Sequence, residues 1–105
     1  MRSTILTATE FIKETFEAFK TEFGVLVQYN ETGRIHRVHI QNSKNIPKSI
    51  LQRKLARICI DFKQKYKEHY IILGTDAEIE ENVVTRLIQE NPLAKCRCII
   101  RNHNS

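Results

Sequence analysis

One stretch, residues 46–74, constrains the fold most, because it joins a long amphipathic helix to a short apolar strand. Its large apolar residues recur at spacings of three and four, the stripe that a helix buries; they are Leu51, Leu55, Ile58, Phe62 and Tyr66. Pro47 suits the first helical turn, and Ser49 with Gln52 offers a start two residues later. The run 70–74 that follows lacks alternation, so it predicts a strand covered on both faces.

A first helix is predicted for residues 7–23, where apolar side chains again recur at helical spacing. Thr7 and Glu10 have the spacing of a capping box, and Gly24 tolerates the left-handed backbone at which many helices stop. The predicted buried stripe consists of Ile12, Phe16, Phe19 and Phe23. We interpret this aromatic row as core.

Residues 25–41 predict a β-hairpin, in which two alternating strands flank a four-residue turn at 30–33. In the return strand, the residues expected to face inward are His36, Val38 and Ile40. The opposite face of that strand carries Arg37 and His39, and it is left to solvent or to a partner.

A third helix is predicted for residues 76–90, because Thr75 and Glu78 form a capping box and Asn91-Pro92 would end the helix. The acidic first turn suits the helix dipole, so we expect Asp76 to be a helix cap. The positions of these carboxylates are then explained without any catalytic role.

The chain ends with a further alternating strand at 95–101 and a frayed tail at 102–105, which gives the order α-β-β-α-β-α-β. We predict one small domain over residues 1–105, of the α/β class bordering on α+β, with three helices and a four-stranded mixed sheet. Strand–helix–strand connections make neighbouring strands parallel. We therefore expect the order 1-2-3-4, with strand one antiparallel at an edge, the last two helices on one face and the first helix on part of the other.

Composition excludes several classes of protein. The chain has 105 residues and 41% hydrophobic residues, which is enough for one folded core and argues against disorder. No apolar run approaches the ~20 residues of a membrane span, and the first residues lack the pattern of a secretory signal. Three cysteines are an odd number, which favours a reduced, cytoplasmic protein.

Positive charge is concentrated within the chain. The net charge is +5, and residues 34–69 alone hold ten basic and two acidic side chains. Such segregation steers anionic partners, and arginine binds phosphate oxygens with two parallel hydrogen bonds. The candidate basic face consists of Arg34, Arg37, His39, Arg53, Arg57, Lys95, Arg97 and Arg101.

The leading hypothesis is a small, non-catalytic nucleic-acid-binding protein whose basic residues converge on one continuous surface and contact the phosphate backbone. A solvated face with ion pairs such as Arg57–Asp61 would be the structural alternative. A second functional hypothesis is a protein-interaction module, an inhibitor or adaptor subunit, that presents the same face to an acidic partner. Ile60, expected on the solvent side of the long helix, could contact such a partner, and a homodimer is also open.

An enzyme is the third hypothesis. Asp76 follows the apolar strand and Glu78 lies close to it, at the end of a strand where α/β proteins often place ligands. These residues could serve a small metal-dependent nuclease, but nothing supplies the remaining carboxylates and lysine. We therefore favour a protein without catalytic activity.

Neither a metal nor a cofactor is predicted. His36 and His39 are three residues apart on a strand, so they point to opposite faces and cannot share an ion. Cys96 and Cys98 share a face but lack two further ligands, and the remaining candidates are Cys59 and His103. Buried thiols are the simpler interpretation.

Overall fold

The computed structural model describes residues 4–90 and 99–102. It contains three α-helices and a mixed sheet, which confirms a small α/β domain. The elements in chain order are α1 (Thr4–Phe23), β1 (Leu26–Thr32), β2 (Ile35–Gln41), a 3-10 turn (Ser43–Asn45), α2 (Lys48–Lys65), β3 (Tyr70–Thr75), α3 (Glu81–Gln89) and a short β4 (Ile99–Asn102).

The sheet has the order β1-β2-β3-β4. β1 pairs antiparallel with β2, while β2 and β3 are parallel, as the sequence predicts. β4 pairs parallel with β3 over four residues. Most of the predicted strand 95–101 lies outside the described residues, and so does the tail after Asn102, which itself belongs to β4.

All three helices lie on one face of the sheet. Phe62 of α2 contacts the ring of His36 in β2, with ring centroids 5.6 Å apart, and Phe11 of α1 contacts Phe62 at 6.1 Å. The prediction that α1 covers part of the other face is therefore wrong. Its apolar stripe packs on the same inward-facing residues of β1 and β2 as the rest of the core, so none of the helices in residues 4–90 covers the other face of the sheet.

This arrangement places α2 between α1 and α3. Gln52 of α2 accepts a hydrogen bond of 2.8 Å from the backbone N–H of Glu80, just before α3, while Phe62 faces α1. Ile60 is consequently buried, with 6% of its surface exposed. The expectation that Ile60 faces solvent is wrong because α2 is covered along three sides rather than one.

The uncovered face also changes the interpretation of β3. Ile71 and Leu73 are fully buried on the helical side, but Tyr70 is 47% exposed and Ile72 is half-buried. The prediction of a strand covered on both faces is therefore wrong for this strand. A continuous apolar run here reflects one buried face and one partly exposed apolar face.

Three local boundaries differ from the sequence prediction. α1 begins at Thr4, so Thr7 lies inside the helix and does not cap it. The hairpin closes through Gly33 and Arg34, with Gly33 at φ +59°, because β1 continues to Thr32. α3 begins at Glu81, so the capping box predicted at Thr75 does not form a helix start.

Candidate functional site

We refer to the face of the sheet on which none of the described helices lies as the open face. Cross-strand registers define its rows, which run Gln28–His39–Gly74–Arg101, Asn30–Arg37–Ile72–Ile99 and Thr32–Ile35–Tyr70. Leu26 and Gln41 form a further pair at one end. Alternate residues along each strand share a face, so these positions lie opposite the buried residues of the core.

The charge on the open face has one sign. Arg37 is exposed, His39 is half-exposed, and the backbone position of Arg101 is in register with Gly74 on the same face. Within the described strands, no position on this face carries a carboxylate, because Glu31 belongs to the helical side. An exposed guanidinium group on a surface whose described positions carry no carboxylate suits an anionic partner.

Tyr70 is the aromatic side chain of the open face. The ammonium group of Lys63 lies over its ring, 5.0 Å from the ring centroid. Lys63 is itself buried and donates hydrogen bonds to the carbonyl oxygens of Lys67, at 2.8 Å, and His69, at 2.5 Å. The connection between α2 and β3 therefore places a buried cation next to Tyr70, which is 47% exposed.

The basic residues predicted to form one surface are divided between two sides of the molecule. Arg53 and Arg57 are exposed on the side of α2 that faces away from the sheet, and Arg57 pairs with Asp61 at 3.1 Å. The prediction of a single continuous basic surface is therefore wrong for these two arginines.

The remaining basic residues of the predicted set lie at the sheet or outside the described residues. Arg34 lies in the hairpin turn and pairs with Glu68 at 2.8 Å. The open face is shared by Arg37, His39 and the backbone position of Arg101. Outside the described residues lie Lys95 and Arg97.

Beneath the sheet, a chain of polar groups crosses the core from Glu31 to His69. The hydroxyl of Tyr29 lies 3.0 Å from Oε2 of Glu31 and 2.8 Å from Nδ1 of His36. Nε2 of His36 lies 2.9 Å from Nδ1 of His69. Thr9 of α1 donates to the same carboxylate oxygen of Glu31. We refer to Tyr29, Glu31, His36 and His69 as the histidine network.

The carboxylate sets the direction of the hydrogen bonds in the histidine network. Glu31 accepts from Tyr29, so we assign His36 Nδ1–H as donor to the tyrosine oxygen and His69 Nδ1–H as donor to His36. Nε2 of His69 then keeps a lone pair that has no hydrogen-bond partner among the described residues. A buried hydrogen-bond acceptor without a donor costs folding free energy, so this nitrogen reduces the stabilisation that the His36–His69 pair provides.

Burial governs the acid–base behaviour of the histidine network. It lowers the pKa of His36, with the neighbouring His69 adding to the shift, and it lowers the pKa of His69, with Arg34 and Lys63 adding. Burial also raises the pKa of Tyr29 to about 12. The hydrogen bond from Thr9 keeps the pKa of Glu31 below its usual value. At neutral pH both imidazoles are therefore neutral.

Asp76 organises the loop after β2 and does not cap a helix. Its carboxylate accepts hydrogen bonds from the backbone N–H of Asn42, at 2.6 Å, and from the N–H, at 2.9 Å, and hydroxyl of Ser43. Burial alone would raise the pKa of Asp76, but these hydrogen bonds outweigh burial and lower the pKa. Asn42 has a positive φ of 64°, the conformation that brings both N–H groups toward the carboxylate.

A cleft of about 500 Å³ adjoins this loop and is lined by Lys44, Lys48, Asp76 and Glu78 among others. Asp76 already satisfies its oxygens within the protein. Across residues 4–90 and 99–102, no group of three histidine, cysteine or carboxylate side chains could hold a metal ion. Cys59 is buried in the core, while Cys96, Cys98 and His103 lie outside the described residues.

Comparisons with known proteins give no information on function, so a functional proposal rests on the geometry of the structure. No family model, curated protein or solved structure matches the chain. Within the described residues, none of the helices has both the length and the hydropathy to cross a membrane.

Three side chains that shape the site have no motif in the sequence. Lys63 lies near the end of α2, His69 comes just before β3, and Tyr70 begins β3. Only the fold shows that Lys63 and His69 are buried. One signal was available: Tyr70 starts a strand next to Ile71, so alternation alone places the two on opposite faces. The absence of a helix over Tyr70 could not be read from that alternation.

Proposed function

We propose that this protein is a small, non-catalytic nucleic-acid-binding domain that contacts the phosphate backbone through the open face of its sheet. The observation that carries the proposal is the polarity of that face: Arg37 is exposed on β2 beside His39, the backbone position of Arg101 is in register with Gly74, and no carboxylate lies among the described strand positions there. Phosphate contacts of this kind need no sequence motif.

The proposed binding surface contains fewer basic residues than the basic face predicted from the sequence. Arg53 and Arg57 lie on the far side of α2, so one ligand on the open face cannot reach them. Arg34 is engaged by Glu68 at the rim of the face. A cytoplasmic location belongs to the same proposal and rests on the odd number of cysteines.

Fluorescence anisotropy with labelled DNA and RNA oligonucleotides tests the proposal at several salt concentrations. We expect binding that weakens as salt rises, because cationic side chains release counterions from the phosphates. Arg37→Gln should weaken binding and reduce the slope against the logarithm of salt concentration by about one. Arg53→Gln is the matched control, since it removes an exposed arginine from the other side of the molecule.

The outcome that contradicts the proposal is equal loss of binding in both variants, or binding that ignores salt. Equal loss would mean that the net charge of the chain, rather than the open face, attracts the oligonucleotide. Binding that ignores salt would mean that phosphate contacts are not involved.

A second candidate function is docking on an acidic protein surface. Leu26 is 55% exposed on the open face, and half-buried Ile35 and Ile72 add apolar surface between the cationic residues. Protein interfaces combine such apolar contacts with a charged rim. A stable partner that co-purifies without nucleic acid, or a homodimer seen by light scattering and disrupted by Leu26→Lys, would favour this alternative.

The nuclease hypothesis receives no support from the geometry of Asp76. Its oxygens are held by Asn42 and Ser43, and the hydrogen bonds close a loop rather than present a carboxylate to a ligand. We therefore do not extend the proposal to catalysis.

A further inference from the structure

We infer that the open face takes single-stranded nucleic acid in preference to duplex, with a base stacked on the exposed ring of Tyr70. This inference rests on the proposed nucleic-acid-binding function and specifies its ligand. It depends on the width of the sheet, the support of the tyrosine ring and the apolar residues next to it.

The width of the sheet opposes reading of a duplex. Three strands pair at the level of Tyr70 and four from Ile72 onward, where the outer strands are separated by about 14 Å at a spacing of about 4.8 Å per strand. The major groove of B-DNA is about 12 Å wide and admits one helix or a two-stranded ribbon. The open face can therefore touch only the phosphates of a duplex, whereas a single strand can lay its bases on the sheet.

The support of Tyr70 makes its ring a ready platform for a base. The ammonium group of Lys63 covers one side of the ring at 5.0 Å from the centroid, and the carbonyls of Lys67 and His69 hold that ammonium in place. Tyr70 is itself 47% exposed, so a base can reach the residue from solvent. Stacking of this kind tolerates any base, because every base has an aromatic face.

The neighbours of Tyr70 extend the platform in two directions. Ile35 is its cross-strand partner on β2, and Ile72 lies two residues further along β3 on the same face. Arg37 pairs with Ile72, so a cationic side chain stands diagonally beside Tyr70. This set combines an aromatic ring, apolar surface and a guanidinium group, which is how single strands are bound without sequence preference.

The rim of this platform also carries opposing charge. Glu68 lies beside the start of β3, but Arg34 pairs with its carboxylate at 2.8 Å. The backbone N–H of Tyr70 donates to the carbonyl of Arg34, which ties this pair to the end of the platform. The ion pair reduces the repulsion that a phosphate would meet there.

A tryptophan reporter tests the inference directly, because the chain contains no tryptophan. In Tyr70→Trp, the new indole should be quenched when an oligothymidylate of about twelve nucleotides is added, since base stacking quenches indole fluorescence. Ile50→Trp is the matched control: Ile50 is 42% exposed on α2, away from the open face, and its reporter should keep its intensity.

Affinities complete the test. We expect the wild-type protein to bind the single strand at least about tenfold more tightly than a duplex of the same length, because only the single strand can stack a base on the ring. Tyr70→Ala should weaken binding to the single strand about tenfold, while Tyr70→Phe keeps it. Circular dichroism and thermal unfolding of each variant establish that the fold is retained.

The outcomes separate the inference from the function on which it rests. Salt-dependent binding of single strand and duplex with equal affinity, with unchanged indole emission in the Tyr70→Trp variant, would overturn the inference and leave the proposed function intact. Absence of binding to any oligonucleotide would overturn both. A change in the tryptophan emission that accompanies self-association, measured by light scattering without nucleic acid, would assign the face to a second copy of the chain and would also overturn the inference.

Discussion

The imidazole rings of His36 and His69 share a hydrogen bond of 2.9 Å in the interior of the domain. His36 is fully buried, and only 2% of His69 is exposed. The bond joins β2 to the residue before β3, directly beneath the open face. The pair therefore links the stability of the parallel strands to the protonation state of two imidazoles.

The free energy of unfolding should fall when the pH drops below about 6.5, the ordinary pKa of histidine. Burial lowers the pKa of His36 and His69 in the folded protein, so below about pH 6.5 the unfolded chain binds more protons than the folded one. This stability is complete above about pH 6.5 and is lost as the pH falls toward the folded pKa values. Each histidine contributes at most about 1.4 kcal/mol per pH unit within this window.

Urea unfolding at about pH 7.5 and about pH 5.5 measures this dependence above the range in which most carboxylates titrate. The double variant His36→Phe, His69→Leu removes both imidazoles and should flatten the dependence. His39→Gln, which leaves the pair intact, should retain it. An unchanged dependence in the double variant would assign the pH effect to other groups.

Tyr29→Phe should destabilise the domain by about 1–3 kcal/mol, the cost of an unsatisfied buried polar group. The hydroxyl is the group that His36 Nδ1 and Glu31 both contact, so its removal leaves a buried imidazole nitrogen without this partner. Tyr66→Phe is the control and should cost less, because the Tyr66 hydroxyl donates at 3.3 Å to the carbonyl of Thr7, an oxygen within α1. Denaturant unfolding of both variants gives the comparison.

Tyrosinate absorbance offers an independent check on Tyr29. Burial raises the pKa of Tyr29 to about 12. The tyrosinate absorbance that the wild-type protein gains and the Tyr29→Phe variant lacks should therefore appear near pH 12 in an alkaline titration. Stability that depends on neutral Tyr29 is present below the ordinary pKa of 10.0 and is lost as the pH rises toward 12. Loss of a signal near pH 10 instead would contradict the buried hydroxyl.

Asp76→Asn should destabilise the domain by about 1.5–3 kcal/mol, the range for hydrogen bonds to a charged group. The carboxylate holds the N–H groups of Asn42 and Ser43, so these two amides should exchange with solvent faster in the variant. Hydrogen exchange followed by NMR measures both effects. Asp61→Asn is the control and should cost no more than about 1 kcal/mol, because its pair with Arg57 is on the surface.

The pKa of Asp76 gives this prediction a pH signature. Since the folded pKa is lowered, the contribution of Asp76 is present above its ordinary pKa of 3.8 and is lost as the pH falls through the folded value. The difference in stability between wild type and Asp76→Asn should therefore shrink in acid. A difference that does not change with pH would mean that the charge of the carboxylate is unimportant.

Lys63→Met should destabilise the domain by about 1–3 kcal/mol, although methionine keeps most of the apolar stem. The ammonium group donates to the carbonyls of Lys67 and His69, and both lose a donor in the variant. Lys65→Met is the matched control, because Lys65 is exposed and lies over the ring of Phe11 at 5.1 Å. Thermal unfolding distinguishes the two, and equal values would contradict a special role for Lys63.

Periodicity was sufficient to predict the elements that build one side of the core. The stripes of α1 and α2 and the inward set His36, Val38 and Ile40 are buried as the spacing indicates, except that Phe23 and Tyr66, at the ends of the two stripes, are only partly buried. These predictions succeed because the repeat of a helix or strand is a local property. The antiparallel hairpin and the parallel crossover were also predictable, because short connections and the handedness of crossovers restrict the alternatives.

The sequence could not predict features that depend on which elements meet in space. Thr75 and Glu78 have the spacing of a capping box, yet Asp76 is drawn instead to the loop at Asn42, a contact between residues 34 positions apart. The histidine network likewise joins residues far apart in the chain. The division of the arginines between two sides arises because α2 packs on the inward side of β2, whereas Arg37 lies on the outward side of that strand.

The one-sided placement of the helices turns residue parity into a guide for mutagenesis. In β2 the even-numbered positions support the core and the odd-numbered ones face outward, while in β3 this order is reversed. A scan of either strand should therefore give alternating phenotypes: variants at the inward positions lower the melting temperature, whereas variants at outward positions other than the buried Gly74 affect it less. Substitutions at the outward positions can therefore change the chemistry of the open face while leaving the folding of the domain largely untouched.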